Sequence, residues 1–224
     1  MQLHYYCKSI HKYQVLLPLG DSTSTETKPT INLSTYLPHN NESNKIRYCP
    51  QESQLIASKG SNGEVYIYNW AYYNKGSNTI KLIGNQKEGF GLSWNTLSKG
   101  LLLSCGIDGL ICMWDLSNAT QNTMYMNPQA TFSNSGVEDV CWHKHDKYRF
   151  GSVNMNKLLS VYDIRCNSPL SSVICNESHA TCIDFNPLNE YLVATGGADN
   201  KSNIWDLRNL TRPLSILKYH EDGV

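Results

Sequence analysis

The run Leu101-Leu102-Leu103-Ser104-Cys105-Gly106-Ile107-Asp108-Gly109-Leu110-Ile111-Cys112-Met113-Trp114-Asp115 decides the fold. Two β-rich apolar stretches flank Asp108-Gly109, a pair suited to positive φ and the strongest short-range hairpin signal. The layout returns at 191–206, where Tyr191-Leu192-Val193-Ala194-Thr195 and Ser202-Asn203-Ile204-Trp205 flank Asp199-Asn200. Short β-rich runs bounded by Gly, Asn and Asp read as strands.

Working outward, the chain repeats itself. Four aromatic anchors, Tyr48, Trp94, Trp142 and Phe185, are each followed 20 positions later by Tyr68, Trp114, Tyr162 or Trp205. Ten positions after each anchor stands a hydroxyl residue (Ser58, Ser104, Ser152, Thr195), and 14 after it Asn62, Asp108, Asn156 or Asp199. Anchor-to-anchor steps are 46, 48 and 43, so length varies between units and not inside them. A further short strand precedes each anchor or follows each hairpin: Thr79–Ile83, Ala130–Phe132, Leu170–Ile174 and Leu214–Leu217. Four antiparallel strands repeated every ~45 residues, with no sustained 3.6-residue apolar period, predict an all-β chain built as blades of a β-propeller.

The pairs Trp114-Asp115, Tyr162-Asp163 and Trp205-Asp206, with Tyr68-Asn69 as a degenerate copy, resemble the signature of WD repeats. In that family the turn Asp, the strand Ser/Thr and the strand Trp join a His nine residues before the anchor in a hydrogen-bonded tetrad. Here that position holds His39, Asn85, Ser133 and Asn176. With His lost from three of four units, the tetrads are expected to be weakened and the blades less rigid, although Asn still hydrogen-bonds.

The expected organisation is an N-terminal extension over 1–12, a partial first blade over 13–39, a second blade over 40–83 and a third over 84–129. A fourth blade over 130–174, a fifth over 175–213 and a truncated sixth from 214 follow, a partial ring of about five blades out of an expected seven. An open array exposes sheet edges, which suggests a piece or short form of a longer ring.

Lys+Arg and Asp+Glu are both 19, so the net charge is zero and no whole-chain case for nucleic acid or membrane exists. The basic cluster Lys144, Lys147, Arg149 is too small for the roughly 6–10 phosphate contacts of a nucleic-acid binder. Neither a spanning segment nor a signal peptide is read, so eight cysteines are expected reduced. Most lie in apolar runs, where Cys acts as a small hydrophobe. Cys141 with His143, His145 and Asp146 is the only constellation an enzyme could use, but these residues fall at a strand end and its loop. His143 and His145 lack a third metal ligand in sequence range, so neither enzymatic activity nor a metal or other cofactor is expected.

Gln86-Lys87-Glu88-Gly89-Phe90-Gly91-Leu92-Ser93-Trp94-Asn95 is similar to a hallmark of the retinoblastoma-associated, MSI-type histone-binding WD-repeat proteins. Val137–His143, Gly151-Ser152-Val153, Phe185-Asn186-Pro187 and Ile204–Leu210 continue the likeness, which runs from about Tyr13 onward. The resemblance implies a nuclear, non-enzymatic scaffold, monomeric within a hetero-complex, with core histones and chromatin-complex subunits as partners. It places a basic tail at the ring mouth, held six and four residues before each anchor. Those positions give Glu42, Asn44, Glu88, Phe90 and Glu138 as tail-binding residues, whereas His179 and Thr181 depart from the pattern. Carboxylates there suit charge-assisted bonds to Lys and Arg, and an aromatic face suits a guanidinium. An alternative rests on Tyr162-Asp163-Ile164-Arg165 and Trp205-Asp206-Leu207-Arg208, which resemble Asp-x-Arg boxes of substrate receptors in cullin-type ubiquitin ligases. Arg165 and Arg208 would then be adaptor contacts; otherwise each Arg makes a salt bridge within its own blade.

Overall fold

A computed structural model describes residues 9–16, 30–39, 41–71, 79–120 and 122–224. Residues 1–8 of the expected extension and the polar loop at 22–27 lie outside the described residues. Strands β1 (Ser9–Leu16) and β2 (Thr30–Pro38) form a two-stranded antiparallel sheet, so β1 begins within the stretch read as an extension.

The second sheet comprises β3 (Ser43–Tyr48), β4 (Leu55–Gly60), β5 (Val65–Asn69) and β6 (Ile80–Leu82). The third unit contributes β7 (Leu92–Trp94), β8 (Leu101–Cys105) and β9 (Leu110–Asp115), followed by a 3-10 turn at Leu116–Asn118. Next come β10 (Tyr125–Met126) and β11 (Ala130–Ser133). The fourth sheet is β12 (Val137–Trp142), β13 (Arg149–Asn154), β14 (Leu158–Asp163) and β15 (Ser171–Ile174). The fifth is β16 (Ala180–Phe185), β17 (Leu192–Gly197), β18 (Ser202–Asp206) and β19 (Ser215–Leu217). Apart from the parallel β10–β6 pair every pairing is antiparallel, and no helix among the described residues is long and apolar enough to cross a membrane. The chain is all-β, a set of propeller blades.

The pairings move two boundaries. Strand β11 pairs β9 (Ala130↔Met113), so it closes the third blade and does not open the fourth at 130. Strand β19 pairs β18 (Ser202↔Leu217), so the fifth blade continues past 213. In each blade the short extra strand follows the hairpin, because the hairpin's second strand has a free edge to satisfy. Strand β10 lies parallel to β6 and extends the second sheet instead of its own.

Strand alternation makes each blade two-faced. On β8, Leu102 enters the core between blades two and three while Leu103 enters the core between three and four. On β9, Cys112 and Trp114 take the first side, Ile111 and Met113 the second. The anchors Trp94, Trp142 and Phe185 are buried against the preceding blade, whereas the first anchor, Tyr48, is 65% exposed. Between blades three and four, Phe150 stacks on Tyr162 at 4.7 Å while Phe132 and Trp142 meet it edge-on.

The hairpin turns use left-handed backbone at one repeated station, 15 residues after each anchor: Gly63, Gly109, Lys157 and Asn200, with φ of 87°, 81°, 69° and 62°. Lysine is the residue least suited to it. Lys157→Gly is expected to raise stability by about 0.5–1 kcal/mol, read as a higher urea midpoint at unchanged slope.

The expected weakening of the tetrads is uneven: blade five keeps a complete one and the other blades do not. In blade five, Trp205 Nε1 donates to Thr195 Oγ1 (3.3 Å), Thr195 to Asn176 Oδ1 (3.1 Å), and Asn176 Nδ2 to Asp199 (3.0 Å). Asn85 likewise joins Ser104 and Asp108, although Trp114 Nε1 is left without a partner. Blade four shifts its register: Ser133 is exposed on β11, and Asn134 Nδ2 reaches Tyr162 (2.9 Å) while its Oδ1 accepts from Asn154 (2.9 Å). Ser152 is unpartnered there. In blade two, His39 Nδ1 meets the Asn41 carbonyl at 2.5 Å, and Ser58 bonds Ser43 instead.

Candidate functional site

Every inner strand (β3, β7, β12, β16) enters its blade past the two stations singled out in the sequence. Six residues before each anchor, the backbone is pinned by one repeated bond from the hairpin turn, 13 residues after that anchor. Ser61 N–H donates to Glu42 O (2.9 Å), Ile107 to Glu88 (2.9 Å), Met155 to Gly136 (3.0 Å) and Ala198 to His179 (2.9 Å). Four residues before the anchor, the ladder breaks. The register slips between Ser43 and Lys45, between Val137 and Asp139, and between Ala180 and Cys182. The extra residues are Asn44, Glu138 and Thr181, each a β-bulge, a device that re-aims a side chain away from the strand pleat. In blade three, Phe90 holds this station just ahead of β7 and is 45% exposed.

This geometry sets Glu42, Glu88, Gly136 and His179 at equivalent places on one rim, and Asn44, Phe90, Glu138 and Thr181 at another. Glu42 and Glu88 are exposed and Asn44 and Glu138 half-buried. Burial raises the Glu138 carboxyl above its ordinary value; His179 opposes this, and Glu88 and Asp139 add to it. Glu138 therefore sits in the field of both Glu88 and His179, from the blades on either side. Ile107 and Met155, exposed beside Glu88 and Gly136, give the rim an apolar share that the sequence reading missed. Their signal was the station 13 residues after each anchor. Thr181 donates its hydroxyl to the Val224 carbonyl, so a neighbouring segment already occupies that bulge. Val224 N–H in turn bonds Gly197 O (3.1 Å), as Val137 N–H bonds Gly106 O (3.2 Å) two blades earlier.

The Asp-x-Arg boxes lie at the other ends of the strands. Arg165 grips Asp163 through Nε (2.8 Å) and Nη2 (2.5 Å), and Arg208 grips Asp206 through Nε (2.9 Å) and Nη2 (2.6 Å). Their guanidinium groups lie over Tyr148 at 4.4 Å and Tyr191 at 4.5 Å. Hydrogen bonding from the arginines holds Asp163 and Asp206 down at about 2. Both arginines serve their own blades and remain exposed.

The constellation weighed for catalysis has other work. Cys141 donates to Asp184 Oδ1 (3.2 Å), and burial pushes its thiol up to about 12. His143 is buried, with both ring nitrogens engaged by backbone. Lys144 pairs with Asp184 (3.0 Å), Arg149 with Asp146 (3.3 Å), and Lys147 lies over Tyr148 (5.0 Å), so the basic cluster is internally occupied. Among the described residues, no three His, Cys, Asp or Glu side chains gather as a metal ion requires.

Comparison with known proteins agrees with this architecture. The family model described as "WD domain, G-beta repeat" matches residues 167–206, the end of blade four through the first three strands of blade five. The chain is 33% identical over 207 residues to the Arabidopsis thaliana "WD-40 repeat-containing protein MSI3", an alignment covering 89% of this chain and 49% of that protein. It thus spans about half the length of the curated relative it matches. Likeness over 89% of the chain, and not over one repeat alone, shows a WD-repeat chain that is similar to the MSI type.

Proposed function

We propose that the protein is a histone-binding scaffold subunit of nuclear chromatin assembly, remodelling or histone-modifying complexes, which holds a basic histone tail at the mouth and performs no chemistry itself. The observation that carries this reading is the bulge at Asn44 and Glu138, repeated at one station. A bulge costs ladder hydrogen bonds, and its recurrence beside pinned acidic residues has a purpose if those side chains face a ligand. Glu42, Glu88 and Glu138 supply acceptors for Lys and Arg, and Phe90 supplies a face for a guanidinium. Basic tails are disordered when free, so affinity depends on a few well-held charges. The blade edges and the far face remain for other subunits.

Fluorescence anisotropy with a labelled basic histone-tail peptide tests the reading. Saturable binding is expected, with Glu88→Lys weakening it at least tenfold, or ~1.4 kcal/mol. Equal affinity for both proteins, or no binding by either, would reject the mouth as the tail site. The ligase-receptor alternative keeps Arg165 and Arg208 as exposed, fixed cations on the opposite face. Under that reading Arg208→Ala abolishes capture by the ligase adaptor and leaves tail binding intact.

A further inference from the structure

One residue beyond the bulges, the inner strands carry another ring of stations: Lys45 on β3, Gly91 ahead of β7, Asp139 on β12 and Cys182 on β16. Lys45 Nζ reaches Asp139 Oδ1 at 2.8 Å, with the two side chains 13% and 9% exposed. Strand β7 packs against both β3 and β12, so the pair spans the third blade. That blade presents glycine at the same station, where a Cβ would collide with the Cys105 sulfur and Val140. The second oxygen of Asp139 accepts the Ile183 N–H at 3.3 Å, from β16. One carboxylate thus ties together blades two, four and five. Beneath it, Arg47 repeats the polarity: burial lowers its pKa, and Asp139, Cys141 and Asp184 counter the loss.

An ion pair this buried is a poor source of net stability, because desolvation offsets the Coulomb attraction; its better-attested use is to select one arrangement of chains. Here each partner is the next residue after a mouth residue, Lys45 after Asn44 and Asp139 after Glu138. We propose that Lys45 and Asp139 are positioning residues: their ion pair sets the separation and aim of the two bulges across the third blade, and thereby the fit of the mouth to a basic peptide. The affinity part rests on the tail-binding reading; the mechanical part does not.

Asp139→Asn keeps an acceptor for Ile183 N–H and removes the charge, Lys45→Met removes the other charge, and Lys45→Arg keeps it. Hydrogen–deuterium exchange over 43–46 and 137–140 is measured on the whole chain, alongside anisotropy with the basic tail peptide. Both are run where circular dichroism shows each variant folded. Asp139→Asn and Lys45→Met should each speed exchange in both segments, the unmutated one included, and weaken the peptide at least ~10-fold. Lys45→Arg should restore both. Faster exchange confined to the mutated strand overturns the proposal, as does unchanged peptide affinity while both segments loosen. If Asp139→Asn does not fold, the contrast between Lys45→Met and Lys45→Arg decides. If the original chain binds no peptide, the tail-binding reading has failed, and the exchange arm alone still decides whether this pair couples the bulges.

Discussion

His143→Ala is expected to lower the unfolding free energy by about 3 kcal/mol, while His143→Asn leaves it nearly unchanged. The ring accepts at Nδ1 from the N–H groups of His145 (3.1 Å) and Asp146 (3.0 Å), so the proton sits on Nε2, which donates to Glu190 O at 2.8 Å in the next blade. Three hydrogen bonds at about 1 kcal/mol each, together with packing on Phe185 at 4.9 Å, give the magnitude. Asn95 shows why Asn suffices. It occupies the same station after its anchor, accepts from Leu97 and Ser98 (2.9 and 2.8 Å), and donates to Lys147 O of the following blade (2.9 Å). Asn186 accepts the same two-bond pattern from Leu188 and Asn189.

The histidine adds a pH dependence that Asn lacks. Burial lowers its pKa below 6.5; the Glu190 carbonyl and Asp146 oppose this, and Arg149 and His145 assist. A protonated Nδ1 cannot accept the two backbone N–H groups. The unfolded chain therefore binds the proton first, and this contribution, complete above about pH 6.5, is lost as pH falls toward the folded value. Urea midpoints at pH 7.5 and 5.5 should separate for the original chain and converge for His143→Asn. Equal separation in both proteins would show that other groups carry the acid sensitivity.

That histidine also marks a limit of what sequence discloses. Asp108-Gly109 and Asp199-Asn200 announce their turns because positive φ narrows the choice of residue, and Trp114 and Trp205 announce second aromatics because a two-faced blade needs bulk at its centre. The bond between His143 and Glu190 crosses 47 positions, and nothing local to His143 distinguishes a turn-capping imidazole from a catalytic one. Asn134 taking the place of Ser133 is equally silent, since one bulge between Val137 and Asp139 moves the register on which nine-before counting depends. The parallel attachment of β10 to β6 is set by a free sheet edge in another blade. Of the mouth, the positions of Glu42, Asn44, Glu88, Phe90 and Glu138 came from family likeness. The bulges that aim Asn44 and Glu138, and the Lys45–Asp139 pair beneath, which joins residues 94 positions apart, have no local signature.

Lys59→Met is expected to stabilise the protein by about 2 kcal/mol at pH 7, within the range seen when buried charges give way to apolar residues of similar shape. Lys59 on β4 is 0% exposed, and the partner found for its ammonium is Asn85 Oδ1 at 3.3 Å, in blade three. Burial lowers its pKa from 10.5; Cys105, Asp108 and Cys112 counter this only in part. Methionine keeps an unbranched stem in the same slot and removes the charge, and Asn85 Oδ1 retains its bond from Ser104. The pH signature separates this account from a simple packing gain. Because the folded pKa is the lower one, the folded state releases the proton before the unfolded chain does. The Lys59 contribution is therefore least favourable below the folded value and improves as pH rises through it toward 10.5. Buried thiols such as Cys112, raised to about 11, act in the opposite direction at alkaline pH, so the readable quantity is the difference between the two proteins. The advantage of Lys59→Met, taken from urea midpoints, should shrink between pH 7 and 10. A constant advantage would mean that the slot prefers an apolar side chain for its shape alone, and a destabilised Lys59→Met would mean that the Lys59–Asn85 link holds blades two and three together at a net gain.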